Sequence, residues 1–142
     1  MIAMLLENIV PEQILVDTAY VLALVNERDQ YHDRAQELAD LFEGRNLLIT
    51  DAVLLEIGNA LARSFKKQAI EIISYFIESE EVEIFRHSSQ IFDKAFALYK
   101  KYDDKEWSLV DCISFIVMRE RGIKQALTFD SHFDQAGFVA IM

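Results

Sequence analysis

"ILVDTAY", residues Ile14 to Tyr20, sets a carboxylate directly behind an apolar run. Ile14, Leu15 and Val16 read as a buried strand, a short apolar stretch with polar residues after it. Asp17 ends it and Thr18 follows. A charge at the lip of apolar packing is costly unless something pairs with it. Asp17 is therefore either the cap of a following helix or part of a site that holds a cation.

Beyond this stretch the chain alternates between the two periodicities. Strands are expected over 13–16, 47–50, 82–85, 125–129 and 138–141, and helices over 19–25, 31–44, 52–65 and 67–79. Two further helices are expected, one from Ser88 or Ser89 through Tyr102 and one over 108–121. Thr50 or Asp51 can cap the third helix, and Gly44 and Gly122 read as helix stops. "DDKEW" reads as a polar loop. Strands alternating with helices imply an α/β fold around a mainly parallel sheet, with its site at the carboxyl ends of the strands.

The 142 residues, 52% of them hydrophobic with one proline and four glycines, fit one domain over 1–142 with a substantial core. Residues 1–12 read as an apolar lead-in to the first strand, with Met4 an alternative start. They lack the basic start and cleavage site of a signal peptide. No apolar run approaches the ~18 residues of a membrane span. Cys112 is the only cysteine, so no internal disulfide can form. It sits in "DCISFIVM" and reads as a buried, inert thiol. The cytoplasm is the expected compartment. A net charge of −10, from 24 acidic and 14 basic residues, argues against a large phosphate-binding surface. It does fit a dense acidic site for a hard divalent cation.

Four acids stand out. Asp17 and Asp130 each follow an apolar strand, "ILV" and "ALTF", and each could equally cap a turn. If the two strands are parallel neighbours, both carboxylates project from one sheet edge. Asp111 lies in the first turn of the most apolar helix. "SLVD" also fits a capping box between Ser108 and Asp111, and the cap and site readings are compatible there. Glu56 borders the apolar stripe of "AVLLEIGNALARS", with Asn59 and Arg63 on its flank at i+3 and i+7. Ser131 with Asp134 fits a second capping box, which makes Asp134 the weaker candidate. Four close carboxylates raise each other's pKa, and bound Mg²⁺ or Mn²⁺ resolves that repulsion. Such ions serve attack of water on a phosphodiester.

In order and spacing, "VDTAYVLAL", "LLEIGNAL", "SLVDCISFIVM" and "ALTFDSHF" resemble the four acidic motifs of the PIN-domain family, and most of all its VapC-like toxins. The resemblance covers the chain from about Ile14 onward. It implies a three-layer α/β/α sandwich with a parallel sheet and a metal-dependent endoribonuclease activity. Carried over, Asp17, Glu56, Asp111 and Asp130 would be the metal-binding acids, with Thr18 the hydroxyl that follows the first Asp. Ala19 stands where many members have serine. The implied partners are an RNA substrate, a small antitoxin whose basic tail enters the acidic site, and a second copy of the chain.

Other chemistries fit poorly. His32, His87 and His132 are scattered, without zinc spacing. His132, beside Asp130, is the only one of the three worth watching for a role. No phosphate loop or nucleophile elbow occurs. A receiver-type phosphate-transfer domain would need a lysine at a strand end, and none is there. Arg63, Lys66 and Lys67 form the best basic cluster for RNA, with Arg119, Arg121 and Lys124 a second. "AIEIISYFI" at 69–77 is either core or a dimer surface. The competing reading is a non-catalytic module that uses the acidic pocket to bind a partner.

Overall fold

The computed structural model describes residues 12–142, and the expected apolar lead-in lies outside them except for its last position. The elements run β1 (Ile14–Val16), α1 (Thr18–Val25), α2 (His32–Leu41), β2 (Leu47–Thr50), α3 (Asp51–Leu61) and α4 (Lys66–Glu78). They continue with β3 (Val82–Phe85), α5 (Ser89–Lys101), α6 (Leu109–Arg121), β4 (Gln125–Leu127), α7 (His132–Gln135) and β5 (Val139–Ile141). The five strands form one all-parallel sheet in the order β3-β2-β1-β4-β5.

Side-chain alternation on the strands builds the three layers. Ile14 and Val16 of β1, Ile49 of β2 and Leu127 of β4 pack with α1 to α4 on one face. Leu15, Leu48 and Ala126, their neighbours in sequence, pack with α5, α6 and Phe133 of α7 on the other. A sheet covered on both faces explains why the strands read as continuous apolar runs rather than alternating ones.

The strand order creates a crevice. From β1 the chain moves outward to β2 and β3, then returns across β1 to β4 on its other side. Beyond the carboxyl ends of β1 and β4 the connections diverge, and such switch points are where open α/β sheets hold ligands. Asp17 sits at this point, its backbone N–H donating to the Leu127 carbonyl at 3.0 Å.

Local chemistry sets most helix ends. Thr50 and Ser88 accept from the backbone of Val53 and Ile91, capping α3 and α5. Gly122 ends α6 at φ 67°, a left-handed conformation that favours glycine. Two helices are shorter than their periodicity implies. α2 stops at Leu41, ahead of a turn through Gly44 at φ 78°, and α3 stops at Leu61 rather than near Phe65. The strand expected over 125–129 closes at Leu127, and Thr128 just beyond it donates its hydroxyl to Asp17.

Candidate functional site

The site is assembled from the ends of β1 and β4, the first turn of α6 and the flank of α3. A cavity of about 300 Å³ is lined by Asp17, Thr18, Glu56, Asp111, Asp130 and His132, together with Ala19, Leu22, Ala60, Glu106 and Ser108. The four acids singled out in the sequence thus share one wall system.

Asp17 is 3% exposed and makes no side-chain cap bond to α1. Its Oδ2 instead accepts from Thr128 Oγ1 at 2.7 Å. The same Thr128 oxygen accepts from the Asp130 backbone N–H at 3.0 Å, so one buried hydroxyl ties the two strand-end acids together. Burial is the main force on the Asp17 carboxyl and pushes it up to about 7. The Thr128 and Thr18 hydrogen bonds oppose that rise, and the charges of Asp111 and Asp130 add to it.

Asp111 is held by a complete capping box. Its N–H donates to Ser108 Oγ at 3.0 Å, and its Oδ2 accepts from the Ser108 N–H at 3.0 Å. Burial raises its pKa, against the lowering by Ser108 and His132, and the Asp130 charge adds to the rise. Ser108→Ala is expected to cost ~1 kcal/mol of stability by removing this cap. Chemical denaturation checks that value, with the midpoint falling and the slope unchanged.

Asp130 forms a turn and also lines the cavity: its Oδ1 accepts from the His132 backbone N–H at 2.9 Å. His132 Nδ1 lies 3.0 Å from Asp111 Oδ2 and 3.2 Å from Asp130 Oδ2, bridging two acids from different elements. Ligand atoms of Asp111, Asp130 and His132 all fall within 4.8 Å of one another.

The remaining assignments separate. Thr18 lines the cavity, and its buried Oγ1 has no hydrogen-bond partner among the described residues. Glu56 is half-buried and reaches the cavity from α3, with Ala60 one turn on beside it. Asn59 and Arg63 are exposed and outside the lining residues. Ala60, at i+4 from Glu56, lines the cavity instead, and Arg63 lies past the end of α3. Asp134 is also outside. Its expected capping box with Ser131 is not formed, since Ser131 makes no cap bond and the Asp134 carboxylate accepts from Ala140 N–H at 3.3 Å.

Three lining or bridging groups are hard to find from the sequence. Thr128 reads as an ordinary strand residue, and its only signal is a hydroxyl two residues before Asp130. Glu106 reads as part of a polar loop, yet Trp107 beside it is buried and fixes that loop against the body of the protein. His132 had a signal in its neighbour Asp130 but none for its contact with Asp111, 21 residues away. Cys112 is buried as expected, and burial pushes its thiol up to about 11.

A cavity walled by carboxylates and one imidazole, at the switch point of an all-parallel sheet covered on both faces, places the chain among α/β domains with an acidic crevice at the strand ends. The chain belongs to the PIN domain family, whose match spans residues 14–139. It is 31% identical over 128 residues to the 23S rRNA-specific endonuclease VapC20 of Mycobacterium tuberculosis (strain CDC 1551 / Oshkosh), covering 90% of this chain and 97% of that protein. The crystal structure of VapC20, described as a Sarcin-Ricin loop cleaving toxin, superposes with TM-score 0.82 at 30% identity, covering 90% of this chain and 98% of that one. VapBC2 from Rickettsia felis, solved bound to a promoter DNA fragment, shares the fold at TM-score 0.64 and 12% identity, covering 92% of this chain and 97% of that one.

Proposed function

We propose that this protein is a metal-dependent endoribonuclease, the toxin of a toxin–antitoxin pair, acting in the cytoplasm. Asp17, Glu56, Asp111 and Asp130 hold Mg²⁺ or Mn²⁺ and form the catalytic centre. The observation that carries the reading is the meeting of these four carboxylates in one cavity at the sheet's switch point. The endonuclease name of the 31% identical relative supports the reaction class.

The donor set fits such an ion. Carboxylate oxygens are hard ligands suited to Mg²⁺ and Mn²⁺, and the unpartnered Thr18 hydroxyl in the wall can pair with a hydrated cation's water shell. The raised pKa values of Asp17 and Asp111 mark carboxylates whose burial and mutual repulsion a cation would relieve. Bound there, the ion supplies Lewis-acid chemistry, acidifying the attacking water and neutralising charge that builds on the phosphate. The chain's own residues do the positioning. Thr128 holds the Asp17 carboxylate, Ser108 holds Asp111, and the His132 backbone holds Asp130. Each acid is thereby oriented before substrate arrives, which lowers the cost of assembling the site.

Partners follow from the same reading. Arg63, Lys66 and Lys67 are exposed and offer phosphate contacts, whereas Arg121 is engaged with Glu83 at 3.0 and 2.7 Å. An antitoxin tail would place a basic side chain among the acids. On α4, Ala69 and Phe76 face the core while Ile70, Tyr75 and Ile77 are exposed, an apolar surface suited to a second copy of the chain.

The test is cleavage of RNA in the presence of Mn²⁺ or Mg²⁺, abolished by a chelator. Thermal denaturation gives an independent readout. Mn²⁺ at about 100 times its dissociation constant should stabilise the fold by ~2.7 kcal/mol, roughly 10 °C in melting temperature. That shift should vanish when all four acids are replaced by their amides. Cleavage that survives exhaustive chelation would reject the reading.

A further inference from the structure

We propose that Tyr31, stacked on Phe129 in a cavity adjoining the acidic one, is a platform for one unpaired base of the RNA strand being cut. The inference rests on the nuclease reading above and extends it to the substrate's form.

The two rings lie 4.6 Å apart at an interplanar angle of 5°. Phe129 directly precedes Asp130, and Tyr20 of α1 packs against it at 6.4 Å. The stack is thus anchored to the same chain segment that supplies a site acid. Tyr31 nevertheless remains 42% exposed. Its loop is tied down by its own polar groups. Asn26 Oδ1 accepts from Arg28 N–H at 3.0 Å, and Asp29 Oδ1 accepts from Tyr31 N–H at 2.8 Å. His32 Nδ1 donates to the Ala23 carbonyl at 2.8 Å. An exposed aromatic ring held rigid before binding loses little conformational entropy when a partner stacks on it.

Tyr31 borders a cavity of about 350 Å³, lined also by Ala19, Leu22, Asp29, Gln30 and Phe129. Ala19 and Leu22 line the acidic cavity too, so the two spaces adjoin across one turn of α1. The wall chemistry selects the occupant. No basic side chain lines this second cavity, and Asp29 would repel a phosphate. An uncharged planar group is what it accepts. Gln30 contributes an amide with donors and an acceptor, suited to the edge of a base. A base can reach an aromatic face only when it is unpaired and out of its own stack. A strand with its scissile phosphate at the acids and a flanking base on Tyr31 satisfies both cavities.

The test compares the parent protein with Tyr31→Leu and Tyr31→Trp on a single-stranded RNA carrying 2-aminopurine. Cleavage is followed with Mn²⁺, and fluorescence quenching on binding is followed in EDTA. Tyr31→Leu keeps an apolar contact with Phe129 but has no aromatic face. It should raise KM on the order of tenfold, leave kcat within about twofold, and lose the quenching. Tyr31→Trp presents a larger face and should bind and quench at least as well as the parent, a result that loss of folding cannot mimic. A fully base-paired RNA of the same sequence should not be quenched. A parent-like KM and quenching in Tyr31→Leu, or equal quenching of the duplex, would overturn the platform even while chelation still abolishes cleavage. If the parent cleaves no RNA, the nuclease reading fails. The quenching comparison in EDTA then decides the platform alone: quenching lost in Tyr31→Leu supports it, and unchanged or absent quenching rejects it.

Discussion

Asp17→Asn is expected to reduce RNA cleavage on the order of a thousandfold or more while making the metal-free protein more stable at pH 8. Both effects come from one cause. The Asp17 carboxyl is buried and pushed up to about 7, with Asp111 and Asp130 adding repulsion. In the unfolded chain it titrates near 3.8. Between those values the folded protein holds a proton that the unfolded chain has released. Stability from this group is therefore full below the unfolded value and is lost as pH rises through about 7. The loss is bounded at roughly 4 kcal/mol, since each pKa unit corresponds to ~1.4 kcal/mol. Asparagine keeps the acceptor for Thr128 and carries no charge. Melting curves of parent and variant should therefore coincide near pH 4 and separate by several degrees at pH 8, with the variant higher. A variant that melts below the parent at pH 8 would show that the carboxylate is favourably held without a cation. A variant that cleaves at the parent's rate would remove Asp17 from the catalytic centre.

Phe115→Ala is expected to cost ~3–5 kcal/mol, lowering the melting temperature by about 10 °C or more. Phe115 is fully buried in α6. Its ring meets Trp107 at 5.1 Å and 78°, Phe133 at 5.0 Å and 84°, and Phe138 at 5.7 Å. The Trp107 and Phe133 contacts are edge-to-face, an arrangement that holds geometry as well as energy. Trp107 fixes the loop that carries Glu106 and Ser108 to the cavity, and Phe133 follows His132 in α7. The substitution should thus weaken Mn²⁺-dependent stabilisation as well as the fold. Phe76→Ala, in the core on the other face of the sheet, is the control. At a temperature where both variants are folded, equal Mn²⁺ stabilisation in the two would show that the aromatic cluster does not position the site.

Several features were legible because they depend on neighbours in the chain. The capping box of Ser108 and Asp111 spans three residues, and the Gly122 stop is a single backbone conformation. The strand-end position of Asp17 follows from the apolar run that precedes it, and the run before Asp130 places that residue just past β4. Asp134 shows the reverse. Its spacing from Ser131 matches a cap, yet its carboxylate is taken by Ala140 of a strand the motif does not mention. Arg63 likewise has the spacing of a helical neighbour of Glu56, but α3 has already ended.

By itself the sequence determined the alternating elements, the parallel α/β class and the residue types able to hold a hard cation. These arise from periodicity, local capping and donor chemistry, all of which act over a few residues. Only the tertiary structure decided which donors share a wall. Thr128 reaches Asp17 across 111 residues, and His132 joins acids from α6 and the end of β4. It also decided that Asp17 is desolvated and that Tyr31 stands exposed on a cavity that shares Ala19 and Leu22 with the acidic one. Such outcomes depend on which surfaces meet when the sheet is covered, and burial and hydrogen-bond partners are properties of that meeting rather than of any local stretch.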